Sequence, residues 1–98
     1  MCGATTGGLS VAGIDVSKEA VIQGRVLRGG DPVAGAYVRL LDSGGEFTAE
    51  VPTSATGQFR FFAAPGEWTL RTLAPASEPV DRRLVAHKGQ ATDVEISI

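Results

Sequence analysis

Residues 53–73, TSATGQFRFFAAPGEWTLRTL, leave little choice of local structure: two alternating apolar runs flank Pro65-Gly66. Pro presets the φ needed at the first corner of a type II turn, and Gly accepts the positive φ of the second. The stretch therefore predicts one β-hairpin. Centred on that turn, Ala63 faces Trp68, Phe61 faces Leu70 and Phe59 faces Thr72, so Phe59, Phe61, Trp68 and Leu70 fall on one face while Phe62 does not. Facing and register agree, as a half-buried strand pair requires.

The same period of two recurs from Ala20 onward. Residues 21–27 put Ile22, Gly24 and Val26 on one face, and Arg28-Gly29-Gly30-Asp31-Pro32 breaks the run. Residues 36–41 alternate Ala36, Val38 and Leu40 against Tyr37, Arg39 and Leu41, ending at the turn signal Asp42-Ser43-Gly44-Gly45. Phe47, Ala49 and Val51 form the inward set of a further run, which Pro52 ends because it cannot donate to a ladder. Residues 80–86 read as a weaker strand whose facing the Asp81-Arg82-Arg83 triplet leaves open, and the last run sets Val94, Ile96 and Ile98 inward. No segment holds a helical period over the ~11 residues a helix needs. The expected fold is all-β: a seven-stranded antiparallel Greek-key β-sandwich, two sheets hiding one face each.

A chain of 98 residues holds one domain and can bury roughly 65% of its unfolded surface, enough for one modest core. A net charge of −2 offers no general attraction to nucleic acid or an anionic membrane. No apolar run approaches the ~20 residues of a spanning helix, and the start of the chain lacks the pattern of a secretory signal. The single cysteine, Cys2, cannot close an intrachain disulfide, so a cytoplasmic location is expected. Residues 1–19, rich in Gly, Ala, Ser and Thr, are read as a flexible N-terminal arm that docks near Ile14, ahead of a sandwich domain at 20–98.

The order Ile22-Gln23-Gly24-Arg25-Val26, Pro32-Val33-Ala34-Gly35-Ala36-Tyr37-Val38, Thr56-Gly57-Gln58-Phe59-Arg60-Phe61 and Pro65-Gly66-Glu67-Trp68-Thr69-Leu70 resembles the carboxypeptidase regulatory-like and transthyretin-like sandwich domains. The whole chain, Met1-Cys2-Gly3-Ala4 included, is similar to a small actinobacterial family of unknown function whose members stand beside thiosulfate sulfurtransferases of the rhodanese type. That resemblance implies such a sulfurtransferase as partner. The broad superfamily holds accessory domains, carriers and a few enzymes, so fold alone does not assign a task.

Enzyme chemistries can be weighed by their ligands. Transthyretin-like hydroxyisourate hydrolases carry a Tyr-Arg-Gly-Ser tail and several histidines, whereas this chain ends Glu95-Ile96-Ser97-Ile98 and has only His87. Intradiol dioxygenases hold iron with two Tyr and two His; here Tyr37 and His87 stand alone. One His and one Cys do not make a zinc site, and no Gly-rich loop opens a helix to cradle phosphate. No metal, cofactor or catalytic set is expected.

Other residues carry the candidate functions. With Met1 removed, the α-ammonium beside Cys2 lowers its thiol pKa and raises the thiolate that attacks sulfane sulfur; the bland alternative is an unconstrained residue with incidental reactivity. His87, next to Lys88-Gly89, reads as a solvated turn imidazole. The hairpin register sets Arg60 opposite Arg71, and like charges across a ladder repel. Either a carboxylate such as Glu46 or Glu50 neutralises them, or they form a site for a small anion or acidic partner. Tyr37, Leu41, Phe62 and Leu73 point outward and offer a homo-oligomer or docking interface, or are scattered surface residues. The reading is a non-enzymatic accessory or sulfur-carrier protein, with a pure interaction module as the alternative and a transthyretin-like hydrolase third.

Overall fold

The computed structural model describes residues 19–98. The eight strands are β1 (Ala20–Arg28), β2 (Asp31–Pro32), β3 (Tyr37–Leu41), β4 (Phe47–Pro52), β5 (Gln58–Ala63), β6 (Gly66–Leu73), β7 (Val80–Ala86) and β8 (Ala91–Ser97). They form two sheets. In the first, β1 is central, with β8 along one edge and both β5 and β2 along the other. Val26 shows how that edge is shared: its N–H donates to Gly57 of the loop entering β5, and its carbonyl accepts from Val33 just after β2. The second sheet runs β4-β3-β6-β7.

The alternating sets meet between these layers. Ile22, Val26, Val38, Phe61, Leu70 and Ile96 are fully buried, each burial contributing about 1.5–3 kcal/mol relative to exposure. The facings left open by Asp81-Arg82-Arg83 are settled by neighbours: Val80 and Leu84 pack on the core while Asp81 lies across from Arg71 of β6. Arg82 reaches over the side of the sandwich and donates to the Glu95 carbonyl of β8.

The all-β sandwich is the architecture expected, with three departures in detail. First, Gly29-Gly30 is a two-residue hairpin turn, at φ 59° and 89°, where positive φ at both positions suits glycine and matches the twist of the flanking strands. It folds the two-residue β2 back onto β1 and makes an eighth strand. Second, β8 runs parallel to β1, from Val21 opposite Ala91 to Leu27 opposite Ser97; every other pair is antiparallel.

Third, the central hairpin does not form. β5 pairs with β1, whereas β6 pairs with β3 and β7. Phe59, Phe61 and Ala63 do point inward with Leu70 and Thr72, but from opposite layers. Alternation reports which way a side chain faces and is silent about which strand lies beside it, so an arch between layers satisfies the same pattern as a hairpin. Pro65-Gly66 is the corner of that arch, and the Trp68 indole N–H braces it by donating to the Ala64 carbonyl at 2.9 Å.

Candidate functional site

With the interior filled, chemistry among the described residues lies on the two outer faces. On the second sheet one row crosses all four strands: Glu50 of β4, Arg39 of β3, Arg71 of β6 and Asp81 of β7. Arg39 Nε donates to Glu50 at 2.6 Å, and Phe47 lies against the same guanidinium, 5.9 Å from carbon to ring centroid. Arg71 holds both oxygens of Asp81, at 2.9 and 3.0 Å. These bonds from Arg71, helped by charge attraction and opposed by slight burial, hold the Asp81 carboxyl below its ordinary range, and the same pair raises Arg71.

One rung toward the end of that face, Tyr37 stands between Pro52 and Leu73. Tyr37 is 49% exposed and Leu73 is half-buried. This row is apolar, next to a row of closed ion pairs.

The outer face of the first sheet is a polar relay. Gln23 of β1 sits between Arg60 of β5 and Asp93 of β8. Arg60 Nε donates to the Gln23 carbonyl oxygen at 2.9 Å, and the Gln23 amide donates to Asp93 at 3.0 Å. The next rung pairs Arg25 with Glu95 at 2.7 Å. Together these side chains line an open groove of about 430 Å³. Arg60 Nη1 is buried and has no hydrogen-bond partner among the described residues.

The residues expected to share sites are dispersed. Arg60 and Arg71 lie on different sheets, so they do not face each other and form no common anion site; the expectation inherited the hairpin that does not form. Arg71 does face an arginine, Arg39. The neutralising carboxylates are Asp81 and Glu50, while Arg60 rests on the neutral Gln23. The four interface candidates also separate. Tyr37 and Leu73 are neighbours, but Leu41 is only 5% exposed, and Phe62 points outward from the other sheet at 9% exposure. Leu41 and Phe62 are therefore not part of an exposed patch. Phe47, expected inside, is 61% exposed, because a register shift between Leu40 and Leu41 sets Phe47 opposite Leu41 and reverses its facing.

His87 is exposed in the turn between β7 and β8. Among the described residues no three His, Cys, Asp or Glu side chains gather into a metal site, and no helix is long and apolar enough to cross a membrane. Cys2 and the arm at 1–19, except Glu19, lie outside the described residues. Sequence reasoning missed Gln23, Asp93 and Asp81, whose only signal is an alternating polar position on a strand of unknown neighbours.

Comparison with known proteins places the chain among uncharacterised relatives. Over 78 residues it is 62% identical to the uncharacterized protein Rv0814c of Mycobacterium tuberculosis, 78% of each chain. Among solved structures it is similar to the minor pilin GBS52 of Streptococcus agalactiae, with a TM-score of 0.70 at 14% identity, covering 82% of this chain and 44% of the pilin. It is also similar to the dioxygenase domain of a dioxygenase and carbohydrate-binding protein fusion from Streptomyces sp. SirexAA-E, at 0.65 and 14%, covering 92% of this chain and 84% of that one. At such identities the likeness concerns the sandwich fold alone. The model of one family, described as a protein of unknown function (DUF1416), matches residues 2–98, and the chain belongs to that family.

Proposed function

We propose that the protein is a non-enzymatic accessory module that handles sulfane sulfur through Cys2, with a rhodanese-type thiosulfate sulfurtransferase as its partner. The observation that supports it is that three of the described arginines, Arg25, Arg39 and Arg71, are each closed by a carboxylate. The sandwich is then scaffold, and Cys2, the one thiol of the sequence, is its reactive group. Transfer needs no external oxidant. The Cys2 thiolate attacks the outer sulfur of the partner's cysteine persulfide, that S–S bond breaks, the partner's thiolate leaves, and the persulfide now resides on Cys2.

The test is mass spectrometry of the intact protein after incubation with a rhodanese and thiosulfate. A gain of one sulfur, lost on adding a thiol reductant and absent from Cys2→Ser, is expected. No added sulfur on Cys2 overturns the role.

A second reading has its own observation, the apolar row of exposed Pro52 and Tyr37 with half-buried Leu73 beside closed ion pairs. Aromatic anchors rimmed by polar groups are the usual make-up of a protein contact. Here the module docks a partner or a second copy through that face. Cys2→Ser then leaves complex formation intact, while Tyr37→Ser weakens it at least tenfold.

A further inference from the structure

The polar side chains that line the groove on the first sheet fall in two rungs across β5, β1 and β8. One rung is Gln58, Arg25 and Glu95, and the other is Arg60, Gln23 and Asp93. In the first rung the charges cancel, since Arg25 and Glu95 are bonded to each other at 2.7 Å. In the second they do not meet. Arg60 and Asp93 each bond the neutral Gln23, one at its oxygen and one at its nitrogen. Among the described residues neither has a partner of opposite charge. Arg60 Nη1 is also buried without a hydrogen-bond partner, so this cation is partly withdrawn from water and uncompensated.

We propose that the groove binds a small zwitterion, its carboxylate on the Arg60 guanidinium and its ammonium on the Asp93 carboxylate. The size fits: about 430 Å³ lies in the range of small-molecule sites, about 300–1,000 Å³. Charge selects the class. A plain anion gains at Arg60 but meets Asp93 in the same groove, and a plain cation meets the reverse; a ligand carrying both charges escapes both repulsions. Spacing selects the shape. Arg60 and Asp93 stand on strands two spacings apart, about 10 Å, so the ligand's charges must be separated by several bonds, as in an ω-amino acid. The frame is already set, because three paired strands carry the groups and the Gln23 amide holds the two charges apart. Little ordering is left to oppose binding. The site depends neither on Cys2 nor on a sulfurtransferase.

Titration of the isotopically labelled full chain with 6-aminohexanoate, read by NMR at the Gln23 side-chain amide and the Arg60 Nε–H, tests it. Expected is a saturable shift of both signals, with a Kd of about 1–10 mM. Hexanoate and hexylamine, each lacking one charge, and glycine, too short to reach both groups, should bind about threefold more weakly or worse. Asp93→Lys, at an exposed position, should invert the preference, so that hexanoate binds more tightly than 6-aminohexanoate while the backbone amide spectrum shows the fold retained. Hexanoate or glycine binding the parent as tightly as 6-aminohexanoate overturns the proposal, as does a folded Asp93→Lys variant with the parent's preference. The absence of a saturable shift at either group up to about 50 mM overturns it as well.

Discussion

Arg39 and Arg71 stand directly opposite each other at the centre of the second sheet, two cations in one cross-strand pair. Their repulsion is offset from both sides by Glu50 and Asp81 on the outer strands. Because each carboxylate lies beyond its own arginine, the charges run minus, plus, plus, minus across the sheet, with strands about 4.8 Å apart. The side-chain bonds of the row tie β3 to β4 and β6 to β7, each worth little on an exposed face.

A pH dependence follows for Asp81. Its folded-state pKa is lowered by Arg71, below an unfolded value of about 3.9. Its contribution is therefore fully present above the unfolded value and disappears as pH falls through the folded one. Asp81→Asn should lower the thermal midpoint slightly near pH 7, and the difference from the parent should be smaller at about pH 2 and in about 1 M salt. An equal deficit at both pH values would mean that Asp81 acts through something other than its charge.

Gly24 is a steric requirement. A Cβ built there meets the Val94 carbonyl oxygen at 1.8 Å and its carbon at 2.8 Å. Both are backbone atoms of the parallel β8, so no side-chain rotation relieves them. Gly24→Ala should cost about 3 kcal/mol or more in urea denaturation, by prising β8 from β1. Gly44→Ala is the control: its nearest contact is 3.4 Å away, at the Asp42 side chain, and the change should stay within about 0.5 kcal/mol.

The inward sets were legible because burial imposes a period of two: Ile22, Val26, Val38, Leu40, Phe59, Phe61, Val94 and Ile96 all sit where alternation places them. Pairing was not legible, since a strand's neighbour is chosen by the whole fold. Pro65-Gly66 could close a hairpin or turn an arch with equal local propriety, and the assignment of Arg60 to Arg71 failed with that choice. Phe47 failed through one bulge, which local sequence does not mark. Outward facing also does not guarantee exposure, as Phe62 illustrates.

Gln23 illustrates how a neutral residue is fixed by charged neighbours. Its oxygen faces the Arg60 guanidinium and its nitrogen faces the Asp93 carboxylate, so the two flanking charges dictate the orientation of the amide. Gln23→Glu turns the second contact into like charges across the β1 and β8 pair. Asp93→Asn in that background removes the repulsion. A double-mutant cycle should give a stabilising coupling of about 0.5–1 kcal/mol between the two changes; zero or destabilising coupling would mean that the relay is not an energetic unit.

Two buried threonines should respond to the same substitution with opposite sign. Thr53 Oγ1 donates to the Val33 carbonyl at 2.6 Å and accepts from the Ala36 N–H at 3.0 Å, clamping the connection between β2 and β3 against the end of β4. Val has the same shape without the hydroxyl. Thr53→Val therefore leaves a buried donor and an acceptor unmade and should cost about 1–3 kcal/mol. Thr72 points into the core at 1% exposure, and its hydroxyl finds no partner among the described residues. There the hydroxyl was desolvated without return, so Thr72→Val should stabilise the protein by about 1 kcal/mol. Urea midpoints of the two variants, moving in opposite directions, check both. A Thr72→Val variant less stable than its parent would show that the hydroxyl has an acceptor, and would locate a polar contact inside the sandwich.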